Sequence, residues 1–211
     1  MQDDSMKMPE MDMKDVDFGN AFQQLLAILK LDKAVIKKVA DNKKGGATAA
    51  IFLLIGTATL PVLQMIFGIR ILNQTFRPDV VATLVGILSA LISALLGYVV
   101  VTLVATKLFK GKGTFAQYFR VGGLVAGIGV ISGLVVFVPA LGAIISLVVG
   151  LWSLVVGYVV LKEVFHLDDK NAILTIIVAA IALVVIQGVL NSLGLSGAAS
   201  QAGFDLSAVS Y

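Results

Sequence analysis

The sequence predicts an all-α fold: a polytopic membrane helical bundle of five transmembrane helices preceded by a cytoplasmic interfacial amphipathic helix. The first observation behind this prediction is composition, since 58% of the 211 residues are hydrophobic, 14% are charged and the mean hydropathy is +0.98. Soluble domains carry about 25% charged residues. The second observation is a set of long apolar stretches without an internal acid or base, and the third is the uneven placement of the basic residues.

The apolar stretches are long enough to cross a bilayer, which requires about 20 residues of helix. They cover residues 48–69, 80–106, 121–138, 140–161 and 172–193. The runs Val99–Val104 and Leu147–Leu151 are apolar on nearly all sides, whereas the strands of a membrane β-barrel alternate polar and apolar residues. We therefore interpret residues 48–193 as one membrane domain of helical spans.

The segments on either side of this domain differ in composition. Residues 1–17 are rich in Met and Asp without periodicity, which predicts a disordered cytoplasmic tail. Residues 18–47 predict a basic amphipathic helix over 18–40, lying on the membrane surface, and then a flexible joint. A coiled-coil or partner-docking helix is the alternative. Residues 194–211, rich in Gly, Ala and Ser, predict a short exterior tail.

Basic residues lie almost entirely on one side of the predicted bundle. They occur before the first span, between the second and third spans, and between the fourth and fifth spans. The other connections contain only Arg70 and Arg77. Because positive residues concentrate in cytoplasmic loops, this pattern predicts a cytoplasmic N-terminus and an exterior C-terminus.

Side chains that usually carry chemistry are scarce. The chain has no Cys and one His, and the predicted spans contain no Asp, Glu, Lys, Arg or His. Proton pumps and ion-coupled transporters characteristically need such groups at membrane depth. No paired acids, metalloprotease motif or Ser–His arrangement is recognisable either. We therefore predict no catalytic residue, no cofactor and no enzymatic activity.

The spacing of one pair of residues meets a single criterion for a metal site. Glu163 and His166 stand at i and i+3, as two ligands on one helix face do, with Asp168 and Asp169 close by. The neighbouring basic segments supply mainly lysines, so a solvated helix end is the preferred interpretation and no metal site is predicted. One of the two aspartates is expected to cap the fifth span.

Small residues recur at helical spacing in three of the spans, a pattern that lets helix backbones approach closely. They are Gly123, Gly127, Gly129 and Gly133 in the third span, Ser89, Ser93 and Gly97 in the second, and Ser153 and Gly157 in the fourth. Packing inside one bundle is the preferred interpretation, and a homo-oligomer interface is the alternative.

Two function classes follow from these features. A membrane adaptor or membrane-organising protein would contact anionic lipid headgroups or a cytoplasmic protein partner through the basic helix and joint. The residues concerned are Lys30, Lys33, Lys37, Lys38, Lys43 and Lys44. The alternative is a small transporter, channel or accessory permease subunit with a polar mid-membrane pocket, formed by Pro61, Gln64, Trp152, Tyr158 and Gln187. We expect no nucleic-acid partner.

Four short segments carry a family resemblance. They are Leu25–Val39, Gly113–Arg120, Val136–Pro139, and the Val164–Leu167 run that is followed by Asp169–Ala172. Together they resemble the Yip family of five-span membrane proteins, which interact with Ypt/Rab GTPases, over about residues 22–190. The resemblance implies membrane trafficking, membrane shaping or partner recruitment in eukaryotic members. The eukaryotic Asp-Leu-x-Gly-Pro motif is not found, so the chain looks more like a prokaryotic relative in a plasma membrane. We predict a non-enzymatic integral membrane adaptor or membrane-organising protein.

Overall fold

The order of helices along the chain follows the hydropathy pattern. The computed structural model describes residues 6–71, 74–133 and 137–192, so the predicted tail 194–211 lies outside the described residues. The helices are α1 (Phe18–Leu29), α2 (Lys33–Asp41), α3 (Gly46–Phe67), α4 (Val80–Leu103), α5 (Phe115–Ala126), α6 (Gly129–Gly133), α7 (Pro139–Phe165) and α8 (Asp169–Ser192). Strands β1 (Ile69–Ile71) and β2 (Gln74–Phe76) form a small antiparallel hairpin after α3.

Within the described residues, four helical segments have the length and composition needed to cross a membrane. They are Lys43–Phe67, Val80–Leu108, Ile144–Phe165 and Asp169–Ile186. The predicted third span, 121–138, coincides with α5 and α6, whose apolar run Phe115–Ile131 is shorter. Within it α5 ends at Ala126, and the N–H of the capping residue Gly127 donates to the carbonyls of Leu124 and Val125. The helical membrane-type bundle is therefore observed, whereas the count of five spans stays a prediction.

The closest helix packing joins α3 to α5 and α6, which run in the same direction. A Cβ added to Gly123 would lie 2.7 Å from the carbonyl oxygen of Ala49, and one added to Gly56 would overlap the carbonyl oxygen of Ala126. Further along, a Cβ on Gly133 would lie 2.7 Å from side-chain atoms of Leu63 and Thr59. The glycines of the predicted third span thus face α3 within the same chain.

The other small residues have open surroundings. A Cβ added to Gly97 or Gly157 would meet no atom of the described chain within 4 Å. Ser93 is exposed, and the Ser153 hydroxyl donates to the carbonyl of Val149 in its own helix at 2.7 Å. These positions leave space on α4 and α7, so a homo-oligomer interface there stays a prediction.

The bundle has two chemically different ends. At one end the hairpin joins α3 to α4, and the rings of Phe67 and Phe137 lie 4.8 Å apart. At the other end lie α1, α2 and the connections 109–114 and 166–168, with most of the lysines. We call this second end the basic end, and α1 together with α2 the basic-end layer.

The helix predicted over 18–40 is divided in the structure, which corrects the sequence interpretation. Leu31 adopts a left-handed backbone with φ 64°, and the Asp32 side chain accepts hydrogen bonds from the N–H groups of Ala34 and Val35. Asp at this position favours a helix start, because its short side chain caps the first turn. The apolar spacing continues across the break and therefore conceals it.

The apolar face of the basic-end layer is covered by the protein. Leu25, Ile28, Ile36 and Val39 are buried, and they belong to one core cluster with residues of α5 and α7 such as Val121, Leu124, Val156 and Phe165. A stripe of α1 is exposed, formed by Phe18, Phe22 and Leu26. Most of the apolar face that the periodicity predicts therefore packs on the bundle, whereas Phe18 and Phe22, which belong to the same predicted face, are exposed.

The described part of the N-terminal segment also contacts the bundle. Pro9 is buried, and the carbonyl of Glu10 lies where a side chain on Gly46 would have to stand. Met6 packs against the cluster that contains Phe115 and Phe119. Residues 6–17 thus lie along α3 and α5, whereas the sequence alone predicts a disordered tail for this segment. The segment can approach α3 closely because Gly46 has no side chain.

Candidate functional site

The basic-end layer is fixed to α7 by an ion-pair cluster. The Glu163 carboxylate lies 3.0 Å from Nζ of Lys37 and 3.6 Å from Nζ of Lys33. The Glu163 side chain is only 12% exposed, whereas the side chain of Lys33 is 65% exposed and that of Lys37 is 53% exposed. Pairs with exposed partners contribute little individually, up to about 1 kcal/mol. They fix the direction of α2 more than they stabilise it.

Hydrogen bonds to backbone carbonyls fix both helices of the layer further. Arg120 of α5 donates through Nη1 to the carbonyl of Ala40 at 2.7 Å, at the end of α2. Trp152 of α7 donates through Nε1 to the carbonyl of Leu29 at 3.2 Å, at the end of α1. Carbonyls at a helix end have no partner inside the helix, so these bonds satisfy groups that would otherwise need water.

The start of α5 is defined by its own sequence. The Thr114 hydroxyl accepts from the N–H of Gln117, and the Gln117 side chain accepts from the N–H of Thr114, a reciprocal capping box. The same Gln117 amide donates through Nε2 to the Asp41 carboxylate at 2.9 Å. Just before the cap, the N–H of Lys112 donates to the carbonyl of Phe165 at 2.9 Å. The connection 109–114 is therefore held against the end of α7.

A polar cleft of about 460 Å³ opens between these elements. It is lined by residues of the N-terminal segment, the joint before α3, the 109–114 connection and the first turns of α5: Lys7, Met8, Glu10, Asp41, Lys43, Lys112, Thr114, Ala116, Gln117 and Arg120. Four of the side chains are cationic and two are carboxylates, so positive charge is in excess. We call this the polar cleft.

Arg120 forms the buried part of the cleft wall. Arg120 is only 7% exposed, and its Nε has no hydrogen-bond partner among the described residues. A guanidinium has five N–H donors, and a buried donor without an acceptor costs free energy. Arg120 is thus the buried cation of the cleft with hydrogen-bonding capacity to spare.

The structure distributes the six predicted contact lysines over different surroundings. All six residues are exposed at the basic end. Lys33 and Lys37 lie at the Glu163 carboxylate, whereas Lys43 lines the polar cleft. The remaining three, Lys30, Lys38 and Lys44, lie at the end of α1, on α2 and in the joint before α3. They share one end of the bundle and do not form a single cluster.

The sequence interpretation missed four participants in these sites. In the sequence Glu163 has only the spacing of a metal ligand, and no contact is predicted for Lys7, Lys112 or Arg120. Arg120 carries a signal that could have been used, because it is the one charged residue inside the apolar run Phe115–Ile131. A charge within such a run marks either an interface position or a buried partner.

The residues near the considered metal site have other partners. Glu163 faces the two lysines, and exposed His166 ends α7 in a left-handed conformation with φ 54°. Asp168 accepts from the N–H of Asn171 at 2.8 Å and so caps α8, as expected. Asp169 accepts from Tyr158 and pairs with Lys162. Within the described ranges, no group of three His or acidic residues could hold a metal ion.

Among the described residues, Trp152 and Tyr158 of the transporter alternative bond to different partners. Trp152 bonds to the end of α1, and the Tyr158 hydroxyl donates to the Asp169 carboxylate at 2.8 Å. Pro61 and Gln64 are half-buried on α3, which continues as a helix through the proline. The side chain of Gln187 lies outside the described part of the chain. A common mid-membrane pocket is therefore not formed by the two aromatic residues.

Comparison with known proteins gives one family. Curated proteins and solved structures give no match. The Yip1 domain family matches residues 31–190, which include α2 to α7 and most of α8. This range covers most of the chain and agrees with the segment over which the sequence motifs resemble the Yip family. The chain is an integral membrane protein of Yip type and belongs to the Yip1 domain family.

Proposed function

We propose that this protein is a non-enzymatic membrane adaptor or membrane-organising protein, with its basic end in the cytoplasm. The observation that carries the proposal is the fixed attachment of the basic-end layer to the bundle. Its apolar residues are buried against α5 and α7, so its lysines are presented from an ordered surface rather than from a free helix. A preordered surface loses less conformational entropy on binding than a flexible one.

The division into α1 and α2 suggests two roles within the layer. α1 contains no charged residue, and its exposed stripe of Phe18, Phe22 and Leu26 has the character of a membrane-inserted face. α2 carries Lys33, Lys37 and Lys38 and fits the headgroup region or an acidic protein surface. In this proposal α1 holds the layer at the bilayer and α2 receives the partner.

The first experiment compares two lysine pairs in the full-length tagged protein. Lys30→Gln with Lys38→Gln changes the layer, and Lys110→Gln with Lys170→Gln removes the same charge elsewhere at the basic end. Each variant is purified from native membranes in mild detergent, with and without a non-hydrolysable GTP analogue, and its stoichiometric partners are quantified. We expect the layer pair to lower partner affinity about thirtyfold, and partner yield with it, since two surface lysines contribute about 1 kcal/mol each.

An equal loss in the control pair would reject the layer as the docking surface. Flux through proteoliposomes containing the protein alone would favour the transporter, channel or permease-subunit alternative instead.

The proposed orientation has a separate test, which the absence of cysteine from the sequence makes simple. Single variants Lys38→Cys, Phe137→Cys and Arg77→Cys are labelled in intact cells with a membrane-impermeant thiol reagent. A cytoplasmic basic end with five crossings predicts labelling of the second and third variants and protection of the first until the cells are opened. Labelling of Lys38→Cys in intact cells would reverse the orientation, and protection of Phe137→Cys would remove the third crossing.

A further inference from the structure

The polar cleft brings together charged side chains from segments that are distant in the sequence. Lys7 comes from the N-terminal segment, Lys43 from the joint before α3, Lys112 from the 109–114 connection and Arg120 from α5. None of these positions is adjacent to another in the chain, so the cluster exists only in the folded protein. The cleft is separate from the two lysines that face Glu163.

The polar groups of the cleft fit an oxyanion. The two carboxylates, Glu10 and Asp41, offset only part of the positive charge, and Asp41 already accepts from the Gln117 amide. Thr114 stands at the cap of α5 and Ala116 in its first turn, where backbone N–H groups lack acceptors inside the helix. Lysines, a hydroxyl and a helix N-terminus recur together in sites for phosphate.

Arg120 supplies an independent indication that a ligand belongs here. The residue is more than nine-tenths buried in the cleft wall, and its Nε lacks an acceptor among the described residues. Its Nη1 is already used on the Ala40 carbonyl, which holds the guanidinium in place. Glu10 and Asp41 supply two negative charges near this guanidinium, and an anionic oxygen in the cleft would add a further counter-charge and an acceptor for the guanidinium.

We propose that the polar cleft binds a phosphate ester, held by Lys43 and Lys112 above the Arg120 guanidinium. The phosphate belongs either to the headgroup of an anionic lipid or to a small soluble ester, since both present the same oxygens. The cleft lies at the end of the transmembrane helices, where α3 begins three residues after Lys43, so both sources can reach it. The site does not depend on a protein partner and is separate from the layer lysines Lys30 and Lys38.

The test uses the full-length protein in detergent micelles and has two arms. In the soluble arm, inorganic phosphate and glycerol 3-phosphate are titrated by calorimetry at constant ionic strength. In the lipid arm, native mass spectrometry counts phosphatidylglycerol retained from mixed micelles, against a glycosyl diacylglycerol that lacks phosphate. Binding in the soluble arm alone identifies a small ester as ligand, retention of the phospholipid alone identifies a headgroup, and either result supports the proposal.

Charge-matched variants locate the binding. Lys43→Gln combined with Lys112→Gln should weaken binding about thirtyfold, since both lysines line the cleft and each contributes about 1 kcal/mol. Lys110→Gln combined with Lys170→Gln removes the same charge from exposed positions outside the cleft and should change affinity by less than about twofold. Glu10→Gln should tighten binding by about fivefold, because it removes a negative charge from the cleft wall.

Two results would overturn the proposal. One is the same loss of affinity in both lysine pairs, which would show a diffuse electrostatic effect of the basic end. The other is no phosphate-dependent binding in either arm by protein whose thermal unfolding is unchanged. The Glu10→Gln variant keeps the test decisive if the lysine pair fails to fold, because an unaltered affinity there would also reject the site.

Discussion

Two glycines in the membrane helices should respond in opposite directions to the same substitution. In Gly56→Ala the added Cβ overlaps the Ala126 carbonyl oxygen, so α3 must move away from the neighbouring backbone. Overpacking of this kind costs about 1–3 kcal/mol. In Gly157→Ala the added Cβ meets no atom within 4 Å among the described residues. There the higher helix propensity of Ala should stabilise α7 by up to about 1 kcal/mol.

The pair is measured in the full-length protein by titration with a denaturing detergent, with helical circular dichroism as the signal. Both substitutions add one methyl group inside a membrane helix, so each serves as the control for the other. We expect their free energies of unfolding to differ by about 1–4 kcal/mol, the sum of the two effects. If Gly157→Ala destabilises as much as Gly56→Ala, the reasoning is refuted, because the open face of α7 must then be covered, as in a homo-oligomer.

Three further substitutions and one control, Leu26→Ala, test the attachment of the basic-end layer, each read by hydrogen exchange in α2. Ile36→Ala should lower the protection of the α2 amides by about 2–5 kcal/mol, because Ile36 is completely buried. Leu26→Ala, on the exposed stripe of α1, should leave α2 nearly unchanged. Similar effects of the two substitutions would contradict the burial pattern. Glu163→Gln removes the shared carboxylate and should cost less than about 1 kcal/mol, with a smaller effect at high salt; a salt-independent loss would argue against ion pairing. Asp32→Ala removes the cap of α2 and should cost about 1 kcal/mol, concentrated in the first turn; a loss spread evenly along α2 would show that the cap is not the cause.

Local signals account for the features that the sequence predicted well. Four of the five predicted spans correspond to helices long and apolar enough to cross a membrane, because a continuous apolar run has no other way to satisfy its backbone in lipid. Asp168 caps α8 as expected, since a cap depends on residues within three positions. The Yip family resemblance was also confirmed by the match of the Yip1 domain family. It could be recognised beforehand because it depends on short motifs that are read directly from the order of residues.

The basic end shows where local signals fail. Hydrophobic periodicity indicated that one face of residues 18–40 is buried, but it did not indicate what covers that face. The sequence pattern predicts a helix on the membrane surface, whereas in the structure Ile28 and Ile36 are buried in one core cluster with residues of α5 and α7. The break at Leu31 was concealed for a related reason, since apolar residues on both sides of it satisfy the same core.

The sequence by itself determined the membrane character, the positions of the long helices and the concentration of lysines at one end. These properties depend on composition and on neighbours a few residues apart. Only the tertiary structure decided that Lys37 meets Glu163, that Gly56 passes the backbone of Ala126, and that the polar cleft forms around Arg120. Such contacts join residues from distant parts of the chain, and the pairing of helix faces that creates them depends on shape as well as on hydropathy.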